Sequence, residues 1–91
     1  MKTIHRYQMK KFMDSIMMPE GAEILSIQIQ RLIICIWAIV DEKAPMKQRD
    51  IYMFGTYQIL PKDMSEYKYI TTLQVGELIW HFFERCRREN G

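Results

Sequence analysis

From residue 23 to residue 30 the chain reads E-I-L-S-I-Q-I-Q, with Leu25, Ile27 and Ile29 on one side of an extended backbone and Ser26, Gln28 and Gln30 on the other. Alternation of this kind, with β-branched residues, predicts a half-buried strand. Residues 32–40 (L-I-I-C-I-W-A-I-V) are apolar throughout. Five of these nine are Ile or Val, which favours a central strand over a short helix. Along that strand Ile34, Ile36, Ala38 and Val40 face one way, and Ile33, Cys35, Trp37 and Ile39 the other. Only Gln30-Arg31 separate the two runs, so they form an antiparallel hairpin. Tight hairpins want Asn or Gly for their positive φ, and neither is present, so an irregular connection is expected.

The remaining pattern is also of period two. Residues 41–46 are a polar loop closed by Pro45, and residues 47–54 begin polar and end apolar, as a strand entering a core does. Gly55 offers a bulge or turn, and Pro61, Lys62, Asp63 and Ser65 mark residues 60–66 as a solvent-facing loop. Residues 67–74 read as a further strand and residues 75–77 as a turn. Residues 78–84 then place Leu78, Trp80 and Phe82 opposite Ile79, His81 and Phe83. A helix over residues 79–90 is the alternative for this last segment. Upstream, residues 3–9 and 15–18 read as strands, the second ending at the turn Pro19-Glu20-Gly21, with a helical turn over residues 10–14 between them. The chain is therefore predicted to be mostly β: a small antiparallel barrel-like or sandwich domain of six to seven short strands over residues 1–84, followed by a basic extension over residues 85–91.

Composition narrows the picture. Ninety-one residues suit one domain, and 48% hydrophobic with 26% charged residues excludes a disordered chain. Thirteen Lys and Arg against eleven Asp and Glu leave a net charge of +2, too near neutral to point to nucleic acid. No apolar run approaches the roughly 20 residues of a membrane helix. The first residues carry charges where a secretion signal needs an apolar stretch. Two cysteines make no disulfide framework, although one bridge between them is stereochemically open, and eight methionines suit a reducing compartment. A cytosolic protein without membrane contact is expected.

Five blocks in order, I-H-R-Y, M-P-E-G-A-E-I-L-S-I-Q-I-Q, I-W-A-I-V-D-E-K-A-P, R-D-I-Y-M-F-G-T and G-E-L-I-W-H-F-F-E, resemble a family of small phage and prophage proteins. The resemblance covers about residues 2–84 and rests on Pro19, Gly21, Trp37, Asp41, Pro45, Arg49, Gly55, Thr56, Gly76, Trp80, His81 and Glu84. It implies a compact β fold, a phage origin and hence a host cytoplasm as the place of action, but no activity. Two positions depart from the family pattern: Gln30-Arg31 stand where Asn-Gly is usual, and Tyr57 replaces a second glycine after Gly55-Thr56.

No phosphate-binding glycine motif, nucleophile elbow or C-x-x-C pair is present. Cys35, His81, Cys86 and His5 are too scattered for the close ligand pairs of a structural zinc site, so neither a metal nor another cofactor is expected. His81 with Glu84 and Arg49 is the most suggestive polar group, because a carboxylate beside an imidazole tunes its protonation. The plainer reading is a histidine bonded to a neighbouring carbonyl at the rim of the core. Trp37 and Trp80 read first as core residues; together with Arg49 and Tyr52 they could instead stack on a base. Lys2, Arg6, Lys10 and Lys11 near the start, and Arg85, Arg87 and Arg88 near the end, would form one basic face if the first and last strands were neighbours.

With no catalytic set, the expectation is a non-enzymatic phage accessory protein that binds a host protein, in host takeover or counter-defence such as inhibition of an immune effector. Its contacts are expected on edge strands and on the loops at 41–47 and 57–66. The alternatives, in order, are a binder that sequesters a nucleotide signal in a pocket between subunits of a homo-oligomer, and a weak nucleic-acid binder.

Overall fold

Seven strands account for most of the chain in the computed structural model, which describes residues 1–87: Lys2–Met9 (β1), Met13–Pro19 (β2), Glu23–Gln30 (β3), Ile33–Asp41 (β4), Met46–Gly55 (β5), Tyr67–Val75 (β6) and Leu78–Arg85 (β7). They form two antiparallel sheets, in the orders β1-β4-β3 and β2-β5-β7-β6. The sheets are not closed into a barrel. They stack as a sandwich-like slab whose extents are 40 × 38 × 17 Å.

The core lies between the sheets. Ile36, Ala38 and Val40 from β4 and Ile27 from β3 meet Ile16 and Met18 from β2, Ile51 and Met53 from β5, and Phe82 from β7. Phe82, Met18, Ile27, Ile36, Ile51 and Val40 are the largest fully buried side chains, each contributing about 1.5–3 kcal/mol by leaving water. The central strand β4 faces its even positions inward, so Trp37 is on the outer surface of its sheet and half-buried there, not in the core. In β7 the inward residues are Trp80, Phe82 and Glu84.

Two expected features are corrected. Residues 10–12 form a bend, not a helical turn. Their backbone groups are used outside any helical register: Lys10 N–H donates to the Asp14 side chain, Oδ2, at 2.9 Å, and Phe12 C=O accepts from Met53 N–H on β5 at 2.8 Å. The helix considered over residues 79–90 is replaced through Arg85 by β7, a central strand laddered to β5 on one side and β6 on the other. Both ladders draw on its backbone, and none of it is left for a helical register. The end of that segment, residues 88–90, falls outside the described residues.

Bulges adjust two strands. A register shift between Ile24 and Ser26 inserts Leu25 as an extra residue, so Ile24 packs on the core and Leu25 turns outward. A second shift lies between Tyr69 and Thr71 in β6. The β3–β4 hairpin turns one residue later than its sequence suggested, on Arg31 and Leu32, which take φ values of 50° and 67°. These two residues occupy the conformation that Asn-Gly would hold without strain.

Candidate functional site

One end of the four-stranded sheet gathers the β1–β2 bend, the loop after β5 and the β6–β7 turn. Gly55 ends β5 and opens a four-residue turn closed by a bond from Gln58 N–H to Gly55 C=O at 3.1 Å. Gln58 Oε1 accepts from Gly55 N–H at 2.9 Å. The third residue of this turn is Tyr57, with φ of 71°, at the place where type II turns favour glycine. Thr56 fastens the turn to β7: its N–H donates to Ile79 C=O at 3.3 Å, and its Oγ1 shares a hydrogen bond with His81 Nε2 at 2.9 Å. On the other side of the same end, the Phe12 ring lies 5.4 Å from that of Trp80. Gly76, with φ of 60°, makes the tight β6–β7 turn.

This frame displays several large apolar side chains beside the polar Thr56, Gln58 and Glu77. Tyr57 is 100% exposed, Ile59 93%, Phe12 67% and Leu78 60%. Tyr57, Leu78, Ile79 and Trp80 line one depression of about 610 Å³. Phe54, Leu60, His81 and Phe83 line a smaller one of about 320 Å³ on the other side of the turn. Scattered exposed hydrophobics are ordinary on a protein surface, but several on neighbouring loops held by backbone bonds make a contact surface. Lys10 and Lys11 stand beside Phe12, and Glu77 lines the larger depression. Sequence reasoning singled out the 57–66 loop but passed over Phe12, Leu78 and Ile79. The available signal was the presence of large apolar residues next to turns, where the end of a strand extends past the core that its alternation points to.

The six residues proposed for a ligand pocket do not meet. Trp37 lies on the outer face of the three-stranded sheet, next to Arg6 and Ser26 in register. Trp80 packs inward at the loop end. Tyr52 and His81 face outward from the four-stranded sheet, where Tyr52 contacts Phe54 and Tyr67 in an aromatic layer that also holds Phe83 and Tyr69. Arg49 and Glu84 are the one pair brought together, and they face the interior.

Arg49 donates through Nε and Nη2 to the two carboxylate oxygens of Glu84, the second bond being 2.8 Å, and through Nη1 to Ala22 C=O at 2.8 Å. The hydrogen bond with Glu84 holds the Arg49 guanidinium above its ordinary range, while burial acts in the opposite direction. This fork joins β5 and β7 of one sheet to the turn before β3 of the other. Glu84 is thereby committed to Arg49 and turned away from His81. The two ring nitrogens of His81 engage hydroxyls instead, Thr56 Oγ1 on one side and Thr72 Oγ1 at 3.0 Å on the other, and Thr72 is bonded in turn to Tyr69 at 2.8 Å. His81 therefore clamps the loop to the sheet, using hydroxyls where a carbonyl was expected.

The single basic face does not form. β1 pairs with β4 in one sheet and β7 lies in the other, so the first and last strands are not neighbours. Lys2 and Arg6 are on β1, and Lys10 and Lys11 on the bend. Arg85 is bound to Glu66 at 3.1 Å and lies over the Tyr67 ring, and Arg87 approaches Asp50 at 3.8 Å. Arg88 falls outside the described residues. Cys35 is a buried free thiol and Cys86 an exposed one. Among the described residues no group of three or more His, Cys, Asp or Glu side chains is placed to hold a metal ion. No helix among them is long and apolar enough to cross a membrane.

No curated protein and no solved structure matches the chain. A family model does, over residues 1–91, and the chain therefore belongs to the family described as a domain of unknown function, DUF7352.

Proposed function

We propose that this chain is a phage-encoded accessory protein that binds a host protein in the host cytoplasm, without catalysis, in host takeover or counter-defence. The observation that carries the reading is the loop end, where Phe12 on the β1–β2 bend, Tyr57 and Ile59 in the loop after β5, and Leu78 at the start of β7 stand exposed. Large exposed apolar and aromatic side chains on preorganised loops lose little conformational freedom on docking, and such residues dominate protein–protein hot spots. The resemblance to phage and prophage proteins supports the origin and compartment. The dispersal of Trp37, Arg49, Tyr52 and Trp80 gives the nucleotide alternative no comparable support.

The test is affinity capture from host lysate with tagged wild-type chain and the triple variant Phe12→Ser/Tyr57→Ser/Ile59→Ser, with circular dichroism to establish that both are folded. The wild type is expected to retain one host protein reproducibly and the variant to lose it. Equal capture by both chains, or no reproducible capture by the wild type, would overturn the proposal.

A further inference from the structure

We infer that the free edge of β1 is a docking site for an extended, acidic segment of a partner protein, added as a fourth strand to the three-stranded sheet. Of the four edge strands, β3 and β6 carry bulges, and β2 ends at Pro19, which has no N–H to donate. Bulges and prolines are devices that stop edges from pairing. β1 has neither. It pairs with β4 without a shift from Lys2↔Asp41 to Met9↔Ile34, and its other side is open. Alternate N–H and C=O groups along that side are therefore set to receive another backbone.

The side chains beside that edge specify the guest. Lys2, Ile4 and Arg6 project from the same outer face, Ile4 is 62% exposed, and neither Lys2 nor Arg6 has an ion-pair partner among the described residues. A strand whose residues read acidic, any, apolar, any, acidic would set a carboxylate beside each cation and an aliphatic side chain beside Ile4. A second copy of this chain is the wrong guest. Symmetric pairing of β1 with itself places Lys2 and Arg6 of both copies, four cations, on one face of two adjacent strands, and like charges at that distance repel. The edge therefore rejects itself while accepting an acidic partner.

The inference rests on the reading that the chain works by binding protein, but it uses a surface separate from the loop end. Its test uses the whole chain, isotopically labelled, and two blocked seven-residue peptides, Thr-Glu-Thr-Val-Thr-Glu-Thr and the same sequence with Lys for Glu. Amide spectra and hydrogen exchange are expected to show the Glu peptide protecting alternate amides of β1. Arg6→Glu is expected to weaken that peptide about tenfold and to favour the Lys peptide instead, the exchanged preference being something a merely unfolded variant cannot produce. Equal affinity of both peptides for the wild type, protection at a surface other than β1, no binding, or self-association through β1 would overturn the inference. Failure here with successful lysate capture removes the edge site alone; the reverse removes the loop end alone.

Discussion

Deleting the Glu84 carboxylate while leaving Arg49 in place strands a cation in the interior. The two side chains are only 11% and 16% exposed, and guanidinium cannot shed its proton at any pH the fold survives. With charge centres about 4 Å apart and an effective dielectric constant of about 20, the attraction removed is about 4 kcal/mol. This agrees with the roughly 3–5 kcal/mol that single-partner removal costs in buried pairs. A domain of this size has a total stability of about 5–15 kcal/mol, and each kcal/mol moves its melting point by about 4–8 °C. Glu84→Ala is therefore expected to lower the melting point by on the order of 15–30 °C.

Urea titration followed by tryptophan fluorescence reads this directly, with Glu84→Gln as a control of nearly equal volume. The double variant Arg49→Met/Glu84→Leu removes both charges, and it is expected to regain most of the lost stability, because apolar replacements of a buried pair are often neutral. The reasoning is refuted if Glu84→Ala costs less than about 1 kcal/mol, the range of water-screened surface pairs. It is equally refuted if the double variant is as unstable as the two single losses added together, since coupled neighbours do not add.

Three further outcomes are expected. Arg31→Asn/Leu32→Gly, which suits the two positive φ values of the β3–β4 turn, should stabilise the fold by about 1–2 kcal/mol in thermal melts; an unchanged or lower melting point would contradict the turn geometry. Burial pushes the Asp50 carboxyl up, but bonds from Gln48 and Ser15 and the charges of Arg87 and Arg85 outweigh it and hold the group below its ordinary range. Its contribution is thus complete above the unfolded value of about 3.9 and lost as pH falls through the folded value. Asp50→Asn should accordingly flatten the loss of stability below about pH 4, and denaturation curves at neutral and acid pH of equal steepness for both chains would contradict this. Tyr57→Gly should raise the melting point slightly, by relieving a left-handed residue, while weakening capture of the host partner, so a gain in both quantities would count against the loop end as the interface.

Period-two patterning made most of the strands legible, because in a half-buried sheet each apolar residue reports its own face, while β4 showed itself by its Ile and Val content and β7 left a helix open. It could not report an inserted residue. At Leu25 the alternation continues unbroken through a bulge, so the sequence places Leu25 with Ile27, whereas the fold turns Ile24 inward in its place. Nor can it choose a face for β4, whose two sides are equally apolar, so Trp37 reads as core although it lies outside. The sequence groups Arg49 and Glu84 with His81, but not as a fork that excludes the histidine, since 35 residues and one intervening strand separate the pair in the chain. Their union is a product of the β5–β7 ladder.

Three residues with side chains take left-handed backbone at the turns of this fold. Gly76 takes the positive φ that its turn demands. Tyr57 also has a positive φ, and so do Arg31 and Leu32 in the β3–β4 hairpin. Left-handed backbone costs an L-residue with a side chain about 1–2 kcal/mol, and no core contact at these sites offsets it: Tyr57 is wholly exposed and Leu32 is 90% exposed. The cost is therefore incurred on the surface, at loop tips, by residues that present large side chains to solvent. Sheet geometry would be better served by glycine at each place. What the side chains add is contact area, and a protein whose working parts are its exposed turns has a use for it that a scaffold alone does not.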